Sequence, residues 1–346
     1  MTVSIGVVGN DVPRQLVMAS GGIARRLGGA WDGPIDERAA ALLGAVDPVV
    51  AGVLTDLLGG RQSEVDGLIV CNDSQSHLRL FYILRMLQGE GLPRVHLLDL
   101  PRVESEGARR FATLQFDALV QFCAGVSGTA PTPEALRSAG SREAQVRTAV
   151  DRLQGRRRAT SPVRGGDALS AMLAAGALEP EAAVAALDAV REEAPKDAVR
   201  VHVTGSAHPD ASVYRALEEH GMVVVSEDHD TGDEAWLGAC VVSDDVESVN
   251  GGLIRQHFGR IAGSATCSIA SRAALTTASA IRSGARIVLS LIREGDEAPA
   301  WDLAVMSEEL AAAGIRLVSR RWISHGDAVR HLADVAREIH DERVAS

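Results

Sequence analysis

Short apolar segments recur along the chain, and each is followed by polar or glycine-rich residues and then by a stretch with helical periodicity. This alternation is typical of strands and helices that follow one another in a parallel sheet. Six segments have the character of strands and a seventh is weaker; in chain order they are Val3–Val8, Gly67–Cys71, Val95–Leu98, Val199–Thr204, Met222–Ser226, Arg286–Ile292 and, as the seventh, Arg316–Ser319. The pattern predicts an α/β fold with helices between the strands.

One strand–helix–strand pattern occurs in both halves of the chain. Asp66–Cys71 leads through a helix to Gly91–Asp99, and Gly284–Arg293 leads through a helix to Gly314–Ser319. A repeat this short fits either the general rules of strand–helix–strand units or a true internal symmetry. Both interpretations predict two similar half-structures.

The length of 346 residues exceeds that of one ordinary hydrophobic core, which predicts two domains. We expect an N-terminal α/β domain over residues 1–130, a helical connector over 131–197 and a C-terminal α/β domain over 198–346. Each α/β domain is expected to be a doubly wound parallel sheet of the Rossmann or flavodoxin-like kind. In the connector, the basic run Arg156–Arg158 is interpreted as a solvated helix cap, with a phosphate contact as the alternative.

Composition narrows the classes of function. The formal net charge of −11 argues against nonspecific binding to nucleic acid or to an anionic membrane surface. The four cysteines are scattered and form no CxxC pair, which fits a reducing cytoplasm. The N-terminus runs directly into an apolar strand, and no apolar segment has membrane-spanning length. We therefore expect a cytoplasmic protein that is neither secreted nor inserted into a membrane.

Candidate chemistry lies directly after the strands, because parallel sheets bind ligands outside the carboxyl ends of their strands. The candidate catalytic residues at these positions are Cys71, Asp99, Ser206 and His208. Cys71 stands where a buried strand leads into a helix, a place that activates a thiol, although cysteine is also a common core residue. The run 228–230 (Asp-His-Asp) fits a divalent-metal loop or, alternatively, a solvated acidic turn.

Taken in order, these segments resemble the D-component family of 2-hydroxyacyl-CoA dehydratases, which includes subunits of benzoyl-CoA reductase. The resemblance rests on the following segments: Asp66–Cys71 with Ser74–Arg79; Leu98–Pro101 with Glu104, Ala108 and Phe111; the helices around Arg147–Arg158 and Gly165–Leu173; Val201–Ser206; Gly221–Asp228; Cys267–Ser268 with Arg272; and Arg321–Asp327. It covers essentially the whole chain.

The resemblance implies that two homologous subunits pair, that each holds a [4Fe–4S] cluster, and that an ATP-dependent activator delivers one electron. The implied chemistry is radical removal of water from a 2-hydroxyacyl-CoA or another acyl-thioester. The positions that correspond to the family's cofactor region are Cys71, Ser74, Cys267, Glu294, Asp296 and Ser324, of which Cys71 is the candidate metal ligand. The chain departs from the family because the segments 96–102 and 293–296 contain no cysteine. A conventional three-cysteine cluster is therefore not expected here.

Three functional hypotheses follow. The preferred one is a degenerate or auxiliary dehydratase-like subunit that acts with a homologous partner, as a heterodimer or as a pair of identical chains. The second is a cluster-free enzyme, a lyase or transferase on an acyl-thioester or small acid, that uses Cys71, Asp99 or His208. The third is a noncatalytic scaffold subunit.

Overall fold

The computed structural model describes residues 3–62, 64–260 and 266–328, together with 330–332, 334, 335, 338 and 339. The described residues form two four-stranded sheets in which all paired strands are parallel. The expected α/β class with two parallel sheets is therefore confirmed.

The first sheet has the strand order β2-β1-β3-β4. Its strands are β1 (Val3–Val8), β2 (Gly22–Arg26), β3 (Gly67–Cys71) and β4 (Arg94–Leu98), and its helices are α1 (Arg14–Ala19), α2 (Glu37–Leu43), α3 (Pro48–Leu58), α4 (Gln75–Met86) and α5 (Glu106–Ser127). Successive residues of β3 point to opposite faces. Leu68 packs with α3 and α4, whereas Ile69 packs with α1 and α5. Both faces are thus covered, as a parallel sheet requires.

The second sheet has the order β6-β5-β7-β8. Its strands are β5 (Val199–Gly205), β6 (Met222–Glu227), β7 (Ile287–Arg293) and β8 (Arg316–Ile323). The remaining helices are α6 (Pro133–Arg158), α7 (Gly165–Ala175), α8 (Pro180–Ala189), α9 (Ser212–Glu219), α10 (Val246–Gly259), α11 (Ile269–Ser283) and α12 (Ala298–Ala312). Helices α6 to α8 connect the two sheets; α6 contacts both α1 and β6. The domain boundaries at residues 130 and 197 stay a prediction.

All seven predicted strands are present, with ends shifted by a few residues. Strand β2 was missed. Its five residues, Gly22–Arg26, include two arginines, and among the described strands it pairs with β1 alone, at the edge of the sheet. An edge strand needs less apolar surface, so its sequence carries a weak strand signal.

The two sheets share one topology, since in each the first strand lies between the second and the third. The first strands even end alike, with Gly9 and Gly205 at φ values of 102° and 103°. A Cβ atom on Gly9 would lie 2.6 Å from Cβ of Cys71, and one on Gly205 would lie 2.4 Å from the carbonyl oxygen of Leu291. Only glycine fits such a conformation at such a distance. These correspondences favour a true internal symmetry.

Within the described residues, we find no helix with both the length and the apolar character needed to cross a lipid bilayer.

Candidate functional site

A cleft of about 280 Å³ lies between the two halves of the molecule. Each sheet reverses its winding direction between its first and third strands, and ligands of doubly wound sheets bind at this point. The cleft is lined by residues at or after these strands, Gly9, Asp73 and His77 from the first half and Gly205 and Arg293 from the second. The two binding points thus face each other across one cavity.

An aspartate–histidine pair lines the cleft at the start of α4. Nδ1 of His77 lies 2.5 Å from Oδ1 of Asp73, and the other carboxylate oxygen accepts the backbone N–H of Asn10 at 2.7 Å. Burial lowers the pKa of His77, but the nearby carboxylates of Asp73, Asp230 and Asp47 raise it by more, so the pKa lies above its ordinary value. The hydrogen bonds of His77 with the described residues are made by its backbone N–H and by Nδ1, which leaves Nε2 without a partner among them.

The lining of the cleft also contains an ion pair between the two halves. Arg26, the last residue of β2, donates to the carbonyl oxygen of Asp230 at 2.6 Å, and its Nη2 lies 3.2 Å from Oδ2 of Asp230. Oδ1 of Asp230 is buried and accepts no hydrogen bond from the described residues. The loop after β6 is therefore held against β2 with one carboxylate oxygen left unused.

Asp228 and His229, in the same loop, are already engaged by protein groups. Asp228 pairs with Arg272 at 3.0 Å and with His202 at 3.4 Å. Burial raises the Asp228 pKa, but Arg272 and His202 lower it by more. His229 shares a hydrogen bond of 2.8 Å with the hydroxyl of Tyr214, and burial lowers its pKa to about 3. The solvated-turn interpretation is wrong for these two residues because both are buried, and their polar atoms have protein partners in place of a metal.

A third ion pair joins the halves directly. Arg293 binds Asp47 in a two-pronged contact, with Nε–Oδ1 and Nη2–Oδ2 distances of 3.0 and 2.7 Å. The Arg293 guanidinium also lies 4.8 Å from the centre of the Trp31 ring. Arg26, Arg272 and Arg293 are the arginines that line the cleft, and each has an aspartate partner.

Cys71 ends β3 but belongs to the hydrophobic core. Its side chain is fully buried, and its sulfur accepts the N–H of Asp11 at 3.4 Å. Burial, with the charges of Asp73 and Asp11, raises the thiol pKa well above its ordinary value. The α4 helix begins only after Ser74, so its N-terminus does not activate this thiol. The catalytic and ligand roles of Cys71 stay predictions.

This burial predicts which thiols react. At pH 8, brief treatment with iodoacetamide should modify the half-exposed Cys267 while Cys71 and Cys123 stay unmodified, because both are buried with raised pKa values. Peptide mass mapping measures the labelling. In urea all four cysteines should react, which controls for detection. Native labelling of Cys71 as fast as that of Cys267 would contradict the buried placement.

The other predicted catalytic residues lie outside the lining of the cleft. Asp99 accepts a hydrogen bond of 2.9 Å from the side chain of Asn72, after the edge strand β4. Ser206 is buried and accepts the N–H of Arg293 at 3.0 Å. His208 is buried, and its Nδ1 accepts the indole N–H of Trp31 at 3.3 Å. Their catalytic roles stay predictions.

The predicted cofactor residues are divided between several places. Ser74 and Asp296 line the cleft and also an adjoining surface groove of about 980 Å³, which Glu294 lines as well. Cys267 is half-buried just before α11, and Ser324 is exposed after β8. The structure thus brings three of these six positions to one opening and leaves the other three, Cys71, Cys267 and Ser324, outside both linings.

The thiols do not form the donor set of an iron–sulfur cluster. Cys71 and Cys123 are buried in the first core, and burial raises the pKa of Cys123 to about 12. Across the part of the chain that the structure describes, no three His, Cys, Asp or Glu side chains are arranged to hold a metal ion. A [4Fe–4S] cluster is held by several thiolates, so the residues present do not fit one.

Sequence reasoning missed the pair Asp73 and His77 and the cleft residues Arg26 and Asp47. A signal existed for the pair, because a carboxylate and an imidazole four residues apart at a helix N-terminus after a buried strand can contact each other. No comparable signal marks Arg26 or Asp47. Only the fold brings β2 and the start of α3 to the second half.

Comparison with known proteins adds one finding. The family model described as 2-hydroxyglutaryl-CoA dehydratase, D-component, matches residues 10–319, which include both sheets except for β1 and the end of β8. No curated protein matches the chain.

Proposed function

Because the chain belongs to the 2-hydroxyglutaryl-CoA dehydratase D-component family, we propose that it is a subunit of a dehydratase-like complex and acts with a homologous partner. In this proposal the partner carries the [4Fe–4S] cluster and receives the electron from an ATP-dependent activator in the cytoplasm. The present chain contributes its cleft without a cluster of its own.

The observation that carries this proposal is the chemistry of the strand ends. The backbone N–H of Asn72 donates to the carbonyl oxygen of Leu98, and the backbone N–H of Glu294 donates to that of Ile323. The residues that precede these donors, Cys71 and Arg293, therefore occupy equivalent positions in the two halves. One of these positions holds a protonated, buried thiol, and the other holds a paired arginine. Around them the cleft offers carboxylates, guanidinium groups and an imidazole, which are poor ligands for an iron–sulfur cluster.

The shape of the opening supports an acyl-thioester as the ligand. The cleft is large enough for a small acyl group, and the wider groove that meets it at Ser74 and Asp296 leads to the surface. The groove is lined by the half-exposed aromatic rings of Tyr82 and Trp322. Apolar and aromatic walls with a few polar groups are typical of small-molecule sites.

Iron and acid-labile sulfide measured on anaerobically purified protein test the proposal. We expect no cluster in the isolated chain and one cluster per complex when the homologous subunit is coexpressed. Cys71→Ala should leave the cluster content of the complex unchanged, since the partner holds the ligands. Cys123→Ala, another buried thiol in the same core, is the matched control for damage to the fold.

A near-stoichiometric cluster in the isolated chain that disappears in Cys71→Ala but persists in Cys123→Ala would overturn the proposal. It would show that this chain ligates iron unconventionally. Absence of iron from both the chain and the copurified pair would instead favour a cluster-free enzyme or a scaffold subunit.

A further inference from the structure

The Asp73–His77 pair has the geometry of an acid–base group. Asp73 is held on both oxygens, by Nδ1 of His77 and by the N–H of Asn10. This contact orients the imidazole ring and leaves Nε2 as the ring nitrogen without a hydrogen bond to the described residues. Both residues line the cleft between the two halves. A carboxylate that orients an imidazole through Nδ1 is a recurring arrangement in proton transfer.

We propose that His77, oriented by Asp73, is a proton donor whose Nε2 protonates a hydroxyl or carbonyl oxygen of the ligand held in the cleft. In this step the Nε2–H bond breaks and its electron pair stays on the imidazole. An O–H bond forms with a lone pair of the ligand oxygen. Water returns a proton to Nε2 after the ligand leaves. The inference deepens the proposed function and rests on it for the identity of the ligand.

The arrangement of charged side chains in the cleft favours His77 as the group that donates to the ligand. The three arginines of the lining are paired with Asp230, Asp228 and Asp47, so an anionic ligand would have to displace a carboxylate to reach any of them. The unpartnered donor atom of the imidazolium requires no such exchange. A neutral oxygen of the ligand is therefore the group that the cleft accommodates with least loss of existing contacts.

Apolar side chains complete the site beside these polar groups. Val49, Val50 and Val53 of α3 line the cleft, and Leu27 lies on the same side. They exclude water from one wall, and this exclusion strengthens polar contacts inside the cleft. They also leave room for a short aliphatic chain. The ligand class is thus a small hydroxy- or oxo-acyl group with a short hydrocarbon portion.

Charged groups on every neighbouring element act on His77. Asp73 precedes its own helix, Asp230 follows β6 and Asp47 precedes α3, and all three raise the His77 pKa against the lowering effect of burial. Asp11 and Arg260 line a small cavity that Asp73 and His77 also line, and they are bound to each other. The net direction is upward, which keeps Nε2 protonated closer to neutral pH and favours the donor role.

A measurement without substrate tests the pair itself. In the full-length protein labelled with ¹⁵N-histidine, the His77 signals, assigned by their loss in His77→Gln, should titrate above 6.5, the ordinary value. Asp73→Asn should lower this midpoint. Diethylpyrocarbonate should modify His77 at Nε2, and 2-hydroxybutyramide, an uncharged hydroxyacyl probe, should slow that modification. His77 signals that do not respond to Asp73→Asn, or a modification rate that the probe leaves unchanged, would overturn the inference.

Turnover by the complex with its homologous subunit tests the catalytic role, with 2-hydroxyglutaryl-CoA as the probe. We expect His77→Gln to lower kcat by about 100-fold or more with little change in KM, as for loss of a general acid. Asp73→Asn should move the alkaline limb of the pH profile to lower pH, because the activity requires protonated His77. The matched control is His220→Gln, at the exposed end of α9, which should leave kcat unchanged.

The two proposals fail in different ways. Full turnover by His77→Gln would overturn the proton-donor role while leaving the dehydratase-like complex intact. A wild-type complex with no turnover, together with a His77 that responds to Asp73→Asn and is protected by 2-hydroxybutyramide, would support the proton donor and overturn the dehydratase-like function.

Discussion

Replacing Arg157 with methionine is expected to lower the free energy of unfolding by about 3–5 kcal/mol, because the change removes the cationic partner of the buried Glu227 and leaves Asp233 with Arg158 alone. Arg157 is 1% exposed and bridges Glu227, at the end of β6, to Asp233 in the following loop. Burial lowers the Arg157 pKa, but Glu227 and Asp233 raise it by more, so the charge persists in the core. Urea unfolding followed by circular dichroism measures the loss.

A control from the same helix separates burial from charge. Arg152 forms an ion pair with Asp188 on the surface of α6, and Arg152→Met should change the unfolding midpoint little, because exposed pairs contribute little. Equal destabilisation by the two substitutions would contradict this account. The same ion-pair network holds the loop that carries Asp230, so Arg157→Met should also impair the cleft. The prediction of a solvated cap over Arg156–Arg158 is wrong for Arg157.

Trp31→Ala is expected to have a comparable effect, about 3–5 kcal/mol, through a cavity in the second half. The residue belongs to the loop between β2 and α2, yet its ring is 2% exposed in the core of the other sheet. Its indole N–H donates to His208, and its backbone N–H donates to Asp210 at 3.1 Å. The loop therefore fastens the two halves beside the Arg293–Asp47 pair, and its loss should loosen the cleft as well as the fold.

Circular dichroism during urea unfolding measures this effect without relying on the altered fluorophore. Trp301, which is 72% exposed on α12, offers the matched substitution Trp301→Ala, expected to change stability by less than about 0.5 kcal/mol. Trp31→Phe should fall between the two, since it keeps most of the apolar ring but loses the hydrogen bond to His208. A Trp31→Ala protein as stable as Trp301→Ala would show that the loop does not join the halves.

The internal symmetry connects fold and site. Because both sheets have the same topology, their binding points are formed by equivalent strand ends. The two binding points face each other across one cleft, so the cleft receives polar residues from both sheets. Equivalent positions of the two halves hold different residues. The end of β3 holds a buried cysteine, whereas the end of β7 holds an arginine that binds across to Asp47.

The sequence by itself determined the α/β class, seven of the eight described strands, the recurring strand–helix–strand unit and the family. These features depend on local apolar runs, turn residues and motif order, which can be read within a window of a few residues. It also indicated that chemistry lies after the strands, since that rule follows from parallel topology alone. Ser74 and Asp296 were identified through the family resemblance, and both line the cleft.

Only the tertiary structure decided which strand-end residues converge and which are buried. Five residues lie at or after the ends of strands but have different surroundings. Three of them are buried in the protein: Cys71, Ser206 and His208. The other two, His77 and Asp230, line the cleft. The physical reason is that burial, ion pairing and the resulting protonation depend on side chains hundreds of residues apart. Arg293 and Asp47, 246 residues apart, meet only because the two sheets pack together.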